Sequence, residues 1–182
     1  MPTKPDLPSC YIGGGESERG ERDVARRHTY SCKNVLEIGG GAGSVSAIVQ
    51  QELRHKERHV VVQPKADGMF GGFTQLMKNR KACDMKFTVI DHKLVPTDVD
   101  LIQTTLGSKP DCMVVDCENC LGQEYNKNPS LFDDLRLLQV ERDDRGSYDA
   151  LFKKLKLRKV DEGMGCGTSC KTEVWVRDHA SM

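Results

Sequence analysis

The sequence predicts an α/β fold, a mostly parallel seven-stranded sheet flanked by helices on both faces. Short apolar runs recur from Asn34 onward, and most are followed by a segment with apolar residues at helical spacing. The first run feeds directly into a glycine-rich turn, Gly39-Gly40-Gly41-Ala42-Gly43. The residues equipped for chemistry fall just after apolar runs, which is where ligands sit in sheets of this kind.

Val35-Leu36-Glu37-Ile38 reads as the first buried strand, and Ser44 to Lys56 as a helix with Val45, Ile48, Val49 and Leu53 on one face. His59 to Gln63 is a second strand, closed by Pro64, which cannot extend it. Phe73 to Lys81 is a helix and Lys86 to Ile90 a third strand. Thr97 to Leu106 is a short helix, with Thr97 placed to cap it and Gly107 to end it. Asp111 to Asp116 and Arg136 to Glu141 are strands four and five. Ser147 to Leu155 is a helix with a serine cap. Leu157 to Asp161 and Lys171 to Arg177 form a closing strand pair around a glycine-rich loop.

At 182 residues the chain fits one domain, preceded by an arm over residues 1–30. The first 15 residues carry three prolines and Gly13-Gly14-Gly15, which predicts an extended, poorly ordered start. Residues 16–29 are strongly charged and read as an exposed helix, with a lid over the site as the alternative. Lysines plus arginines equal aspartates plus glutamates, 27 each, which argues against a protein built to grip nucleic-acid backbone. No stretch approaches the roughly 20 apolar residues of a membrane helix, and the N-terminus lacks the apolar core of a secretory signal. The eight cysteines are therefore expected as reduced thiols in a cytoplasmic setting.

Glycines are needed where backbone turns tightly or a ligand approaches it closely. The dinucleotide fingerprint G-x-G-x-x-G would need a glycine at Ser44; the chain instead spells E-x-G-x-G-x-G from Glu37. That spelling resembles motif I of the class I S-adenosylmethionine (SAM)-dependent methyltransferases and implies their Rossmann-like fold. The resemblance implies that Glu37 orients the methionine amino group while Gly39, Gly40, Gly41 and Gly43 make room for the cofactor. It places Gln63 and Pro64 at the ribose, where that superfamily normally has an acid. An amide loses the charge-assisted part of the bond, on the order of 1 kcal/mol. Asp91 and His92 fall where the superfamily contacts adenine.

Asp116-Cys117-Glu118-Asn119 follows the fourth strand, and Glu141 ends the fifth. This series resembles the FkbM-like O-methyltransferases, whose fourth strand ends in Asp-x-Glu-Gly and whose fifth ends in glutamate; Asn119 stands here for the glycine. The resemblance covers residues 34–177 and implies a hydroxyl acceptor on a small molecule, sugar or glycan. A strand-end carboxylate suits removal of the hydroxyl proton. Asp116 is the first choice of base, followed by Glu118 and His92; orienting the methionine amine is the alternative role for Asp116. Some sugar and catechol methyltransferases hold a divalent cation with acids at these two strand ends, so the resemblance also allows Mg²⁺ at Asp116, Glu141 and Asp143. Cys117-x-x-Cys120 and Cys166-x-x-x-Cys170 have spacings near those of structural zinc sites, with plain thiols as the blander account. Two other readings stay open: a SAM-binding module without catalysis, and an oxidoreductase using an NAD-type nucleotide.

Overall fold

A computed structural model describes residues 6–13, 18–65, 72–118, 120–142, 148–165 and 170–177. Helix α1 spans Arg19–His28, and strand β1 (Val35–Ile38) runs through the glycine turn into α2 (Ser44–Glu52). There follow β2 (His59–Val62), α3 (Gly72–Ala82), β3 (Thr88–Ile90), α4 (Asp98–Leu106) and β4 (Cys112–Val115). The chain closes with α5 (Leu121–Lys127), β5 (Leu137–Arg142), α6 (Asp149–Lys154), β6 (Leu157–Met164) and β7 (Lys171–Arg177).

The seven strands form one sheet in the order β3-β2-β1-β4-β5-β7-β6. Strands β1 to β5 are parallel, while β7 runs antiparallel to both β5 and β6. The expected fold class is thus present, and the order reverses between β1 and β4, where a ligand crevice opens. Because side chains alternate along a strand, each parallel strand feeds two cores. Leu36, Ile38, Met113, Val115, Leu138 and Val140 pack with Ile102, Leu106, Leu121 and Phe152 on the α4–α6 side. Val35, Cys112, Val114, Leu137 and Val174 pack with Val24, Ala25, Ile48 and Val49 on the α1–α2 side.

Several expectations need correcting. The start of the chain is tied down where it is described. Cys10 is disulfide-bonded to Cys83, the Ile12 amide donates to Asn79 at 2.8 Å, and Asp6 pairs with Arg22 at 2.6 Å. Helix α1 is not merely solvated, because Glu21, Arg22, Val24 and Ala25 are all buried. Its approach to the sheet is backbone-close: a Cβ at Gly20 would lie 1.8 Å from the Met164 carbonyl oxygen. Helix α2 stops at Glu52, since Leu53 is extended. Thr97 makes no capping bond; Asp98 instead accepts from the Val95 amide at 2.9 Å, and Gly107 ends α4 at φ +79° as expected. Helix α5 was not visible in the sequence, because seven residues give a pattern only Leu121 and Tyr125 long. The serine cap at Ser147 lies outside the described residues.

Candidate active site

The parity that sends Leu36 and Ile38 to one core sends Glu37 to the other, toward α1 and α2. The same parity aligns Asp116 with Val114, Gln139 and Glu141 with Leu137, and Thr172 with Val174. These residues converge at the carboxyl edge of the sheet and line a narrow cleft. Glu18 and Glu21 of the α1 region cover it, and Gly39, Gly40 and Gly41 form its floor. Its charged lining is Glu18, Glu21, Glu37, Asp116 and Glu141, and among the described residues no lysine, arginine or histidine lines it.

The glycine turn owes its composition to contacts on both sides. Gly39 has φ +92°, and a Cβ there would lie 1.5 Å from the Asp116 carbonyl oxygen. Gly41, at φ +50°, faces the cleft, where an added Cβ would meet nothing nearer than Glu18 Oε1 at 3.9 Å. Gly40 and Gly43 leave room for Val61 and Leu76 respectively, so those two serve packing. Gln63 is buried, and its Oε1 accepts from the Gly41 amide at 2.7 Å. The amide at the predicted ribose position therefore braces the turn itself. Pro64 follows it, half-buried. Ser44 Oγ donates to Glu18 Oε2, tying the segment before α1 to the start of α2.

Beneath the turn lies a buried polar network that the sequence pattern did not reveal. Gln50 Oε1 accepts from the Lys86 amide at 2.8 Å, and its Nε2 donates to the Lys56 carbonyl at 2.8 Å. Its amide group is thereby oriented, so Gln50 Nε2 donates to His59 Nδ1 at 3.1 Å. His59 Nε2 then carries the proton and donates to Glu37 Oε2 at 2.9 Å, while Ser46 donates to Glu37 Oε1 at 2.8 Å. Both carboxylate oxygens of Glu37 are held, so it presents fixed negative charge rather than a free side chain. His59 in an otherwise apolar strand was the available signal.

The structure gathers Asp116 and Glu141 with a third acid, Glu21, their oxygens all within 4.8 Å of one another. Burial holds the Asp116 carboxyl well above its ordinary range, reinforced by its hydrogen bond to Glu141 and the charge of Glu21. Burial likewise pushes Glu21 up to about 9, with repulsion from Glu141 adding to it. Asp143, the third acid expected there, lies outside the described residues. Glu21 could have been found from the helical spacing of Glu18, Glu21 and Ala25, and Gln139 from its place inside an apolar strand.

Other predicted residues stand apart. Glu118 is exposed, has φ +51° and does not line the cleft. Asp91 pairs with Lys65, which with His92 holds its carboxyl below the usual range. His92, half exposed, lies 3.4 Å from Asp91 and 3.2 Å from Asp98, and these contacts raise its proton affinity. It is an ion-pair partner away from the cleft.

The cysteines overturn the reduced-thiol expectation. Cys10–Cys83, Cys32–Cys112 and Cys117–Cys120 are disulfides, and Cys170 is disulfide-bonded as well. Cys117 and Cys120 bond each other, so they offer no thiolates to zinc. Among the described residues no helix is long and apolar enough to cross a membrane.

No family model and no curated protein matches the sequence. Solved structures do match the fold. The Streptococcus pneumoniae protein Sp1610, a candidate tRNA (m1A22) methyltransferase in complex with S-adenosyl-L-methionine, aligns at TM-score 0.63 and 9% identity over 88% of this chain and 73% of that one. An O-methyltransferase from Bacillus cereus, in complex with SAH, aligns at TM-score 0.63 and 12% identity over 94% and 84%. A ribosomal protein L11 methylase from Lactobacillus delbrueckii aligns at TM-score 0.60 and 12% identity over 92% and 81%. The fold is the Rossmann-like fold of class I SAM-dependent methyltransferases.

Proposed function

We propose that this protein is a SAM-dependent methyltransferase acting on a hydroxyl of a small molecule, with sugars and glycans as the acceptor class. The observation that carries the reading is the cleft over the glycine turn, whose charged lining is entirely acidic among the described residues. SAM brings a sulfonium and an ammonium, which this acidic lining favours, whereas the pyrophosphate of an NAD-type nucleotide would find no cationic partner there among the described residues. Gly41 leaves open space on the cleft side, as backbone contact with a cofactor requires. The FkbM-like resemblance of the strand ends and the O-methyltransferase among the structural neighbours support an oxygen acceptor.

When bound, SAM supplies a methyl carbon already activated by its sulfonium. The chain's own part is to align the acceptor, to hold the cofactor's positive charge and to take the hydroxyl proton. Glu37, fixed by Ser46 and His59, serves the second task. Asp116 serves the third, since a carboxyl with raised proton affinity is a better base near neutral pH. Neither Glu118 nor His92 belongs to this mechanism. The disulfides favour an oxidising compartment as the place of work.

Calorimetry with SAM, S-adenosylhomocysteine and NAD tests the reading. Binding of the first two and not of NAD is expected; the reverse pattern sinks it. Gly41→Val is expected to abolish SAM binding, and Asp116→Ala to spare much of it while losing turnover. Full activity in Asp116→Ala removes that residue as base. Tight SAM binding with no turnover on any hydroxyl acceptor would leave a binding module.

A further inference from the structure

Cys117 and Cys120 are bonded to each other across two intervening residues, where the end of β4 passes into α5. A cross-link stabilises a fold mainly by restricting the unfolded chain, and least when the loop it closes is short. Cys10–Cys83 and Cys32–Cys112 span 73 and 80 residues, the second between cysteines 5% and 0% exposed. Cys117–Cys120 spans three, and both its residues are only half-buried against the α4–α6 core. Glu118 inside the bridge is held at φ +51°, a conformation that residues with a side chain rarely adopt. A bond that is accessible, adds little to the fold and closes over a strained backbone belongs to the exchangeable class of disulfides.

The position of this bond gives its exchange a consequence. The peptide from Asp116 to Cys117 lies on the glycine turn. A Cβ at Gly39 would stand 1.5 Å from the Asp116 carbonyl oxygen and 3.3 Å from the Cys117 amide nitrogen. The Asp116 amide donates to the Ile38 carbonyl at 2.8 Å. Beyond the bridge, Leu121 opens α5 with its side chain fully buried. The bridge thus fastens the backbone that carries Asp116 to a helix anchored in the core.

We propose that Cys117–Cys120 is a thiol–disulfide exchange site that takes a dithiol as its substrate, and that the bonded state fixes the strand end carrying Asp116. A thiolate of the dithiol attacks one of the two sulfurs, forming a mixed disulfide and releasing the other cysteine as a thiolate, which takes up a proton. The donor's second thiolate then attacks the donor sulfur of the mixed disulfide and releases the remaining cysteine, which is protonated in turn. Two electrons and two protons have passed to the pair. The donor leaves as a disulfide, and Cys117 and Cys120 remain as thiols. Reduction releases Glu118 from its positive φ and loosens the Asp116 peptide against the glycine turn.

This inference does not depend on methyl transfer, so it is tested on the native full chain without SAM. The protein is incubated with dithiothreitol or with reduced thioredoxin and quenched with iodoacetamide, and the alkylated cysteines are located by tandem mass spectrometry. Cys117 and Cys120 are expected to be labelled together, about tenfold or more faster than Cys32 and Cys112. With Cys32–Cys112 still bonded, amide hydrogen exchange at Asp116 and Cys117 is expected to quicken several-fold. The double variant Cys117→Ser/Cys120→Ser should show that fast exchange without reductant. Reduction by thioredoxin assigns a protein donor, and reduction by dithiothreitol alone a small dithiol; reduction by neither overturns the proposal. So does labelling of Cys117 and Cys120 no sooner than Cys32 and Cys112. Unchanged hydrogen exchange at Asp116 on reduction of the wild-type chain overturns it too, and that reading stands should the serine variant not fold. Loss of the methyltransferase reading leaves all these outcomes as they are.

Discussion

The carbonyl oxygen of Asp116 occupies the space beside Gly39, 1.5 Å from where a side chain's first carbon would stand. The end of β4 and the glycine turn after β1 are thus one packed unit, so the candidate base is positioned by backbone contact. Gly39→Ala forces a positive φ on alanine and pushes the Asp116 peptide away. The expected cost is roughly 2–5 kcal/mol from strain and overpacking together. Urea denaturation measures it, and a wild-type midpoint would show that the turn yields without cost.

His59 and Glu37 are both buried, with exposures of 0% and 1%. Replacing His59 by Phe fills the space but leaves Glu37 Oε2 without a donor under the turn. A buried carboxylate stripped of its partner costs about 3–5 kcal/mol. Pairing the change with Glu37→Gln should recover part of that loss, which a double-mutant cycle reads directly.

Glu21 makes stability pH-dependent in an unusual direction. Its folded-state value near 9 lies above the ordinary 4.5, so between those values the folded chain holds a proton that the unfolded chain releases. Stability contributed by that proton is lost as pH rises through this window. Tm is expected to fall from pH 5 toward pH 9, and Glu21→Gln should flatten the decline. A Tm that climbs over that range in the wild type contradicts the assignment.

Cys32–Cys112 joins the segment after α1 to β4 across 80 residues, with both cysteines buried in the α1–α2 core. Closing a loop of that length stabilises by about 4.5 kcal/mol in the chain-entropy account. Refolding under a strong reductant is expected to lower Tm by roughly 10 °C or more. Non-reducing peptide mapping should find Cys32 joined to Cys112 and Cys10 to Cys83. An unchanged melt in the fully reduced protein would argue against structural disulfides.

Short apolar runs located every strand within a few residues, because a run's apolar character is a local property of sequence. Helix α5 escaped because seven residues carry too little periodicity. The site was legible where backbone chemistry is local, as in Gly39 to Gly43 and the strand-end acids Asp116 and Glu141. Strand-end proximity says nothing of direction: His92 turns to Asp91 and Asp98, and Glu118 to solvent.

Sequence by itself determined the layered sheet and the glycine turn, since short apolar runs alternating with helical spacing, and glycines that free the backbone to turn, leave few other arrangements. Tertiary structure alone decided that Glu21 of a charged helix joins Asp116 and Glu141, and that Gln63 braces Gly41. It also decided that the cysteines pair. Each of these depends on which elements cross, and crossings are set by the packing of the whole chain.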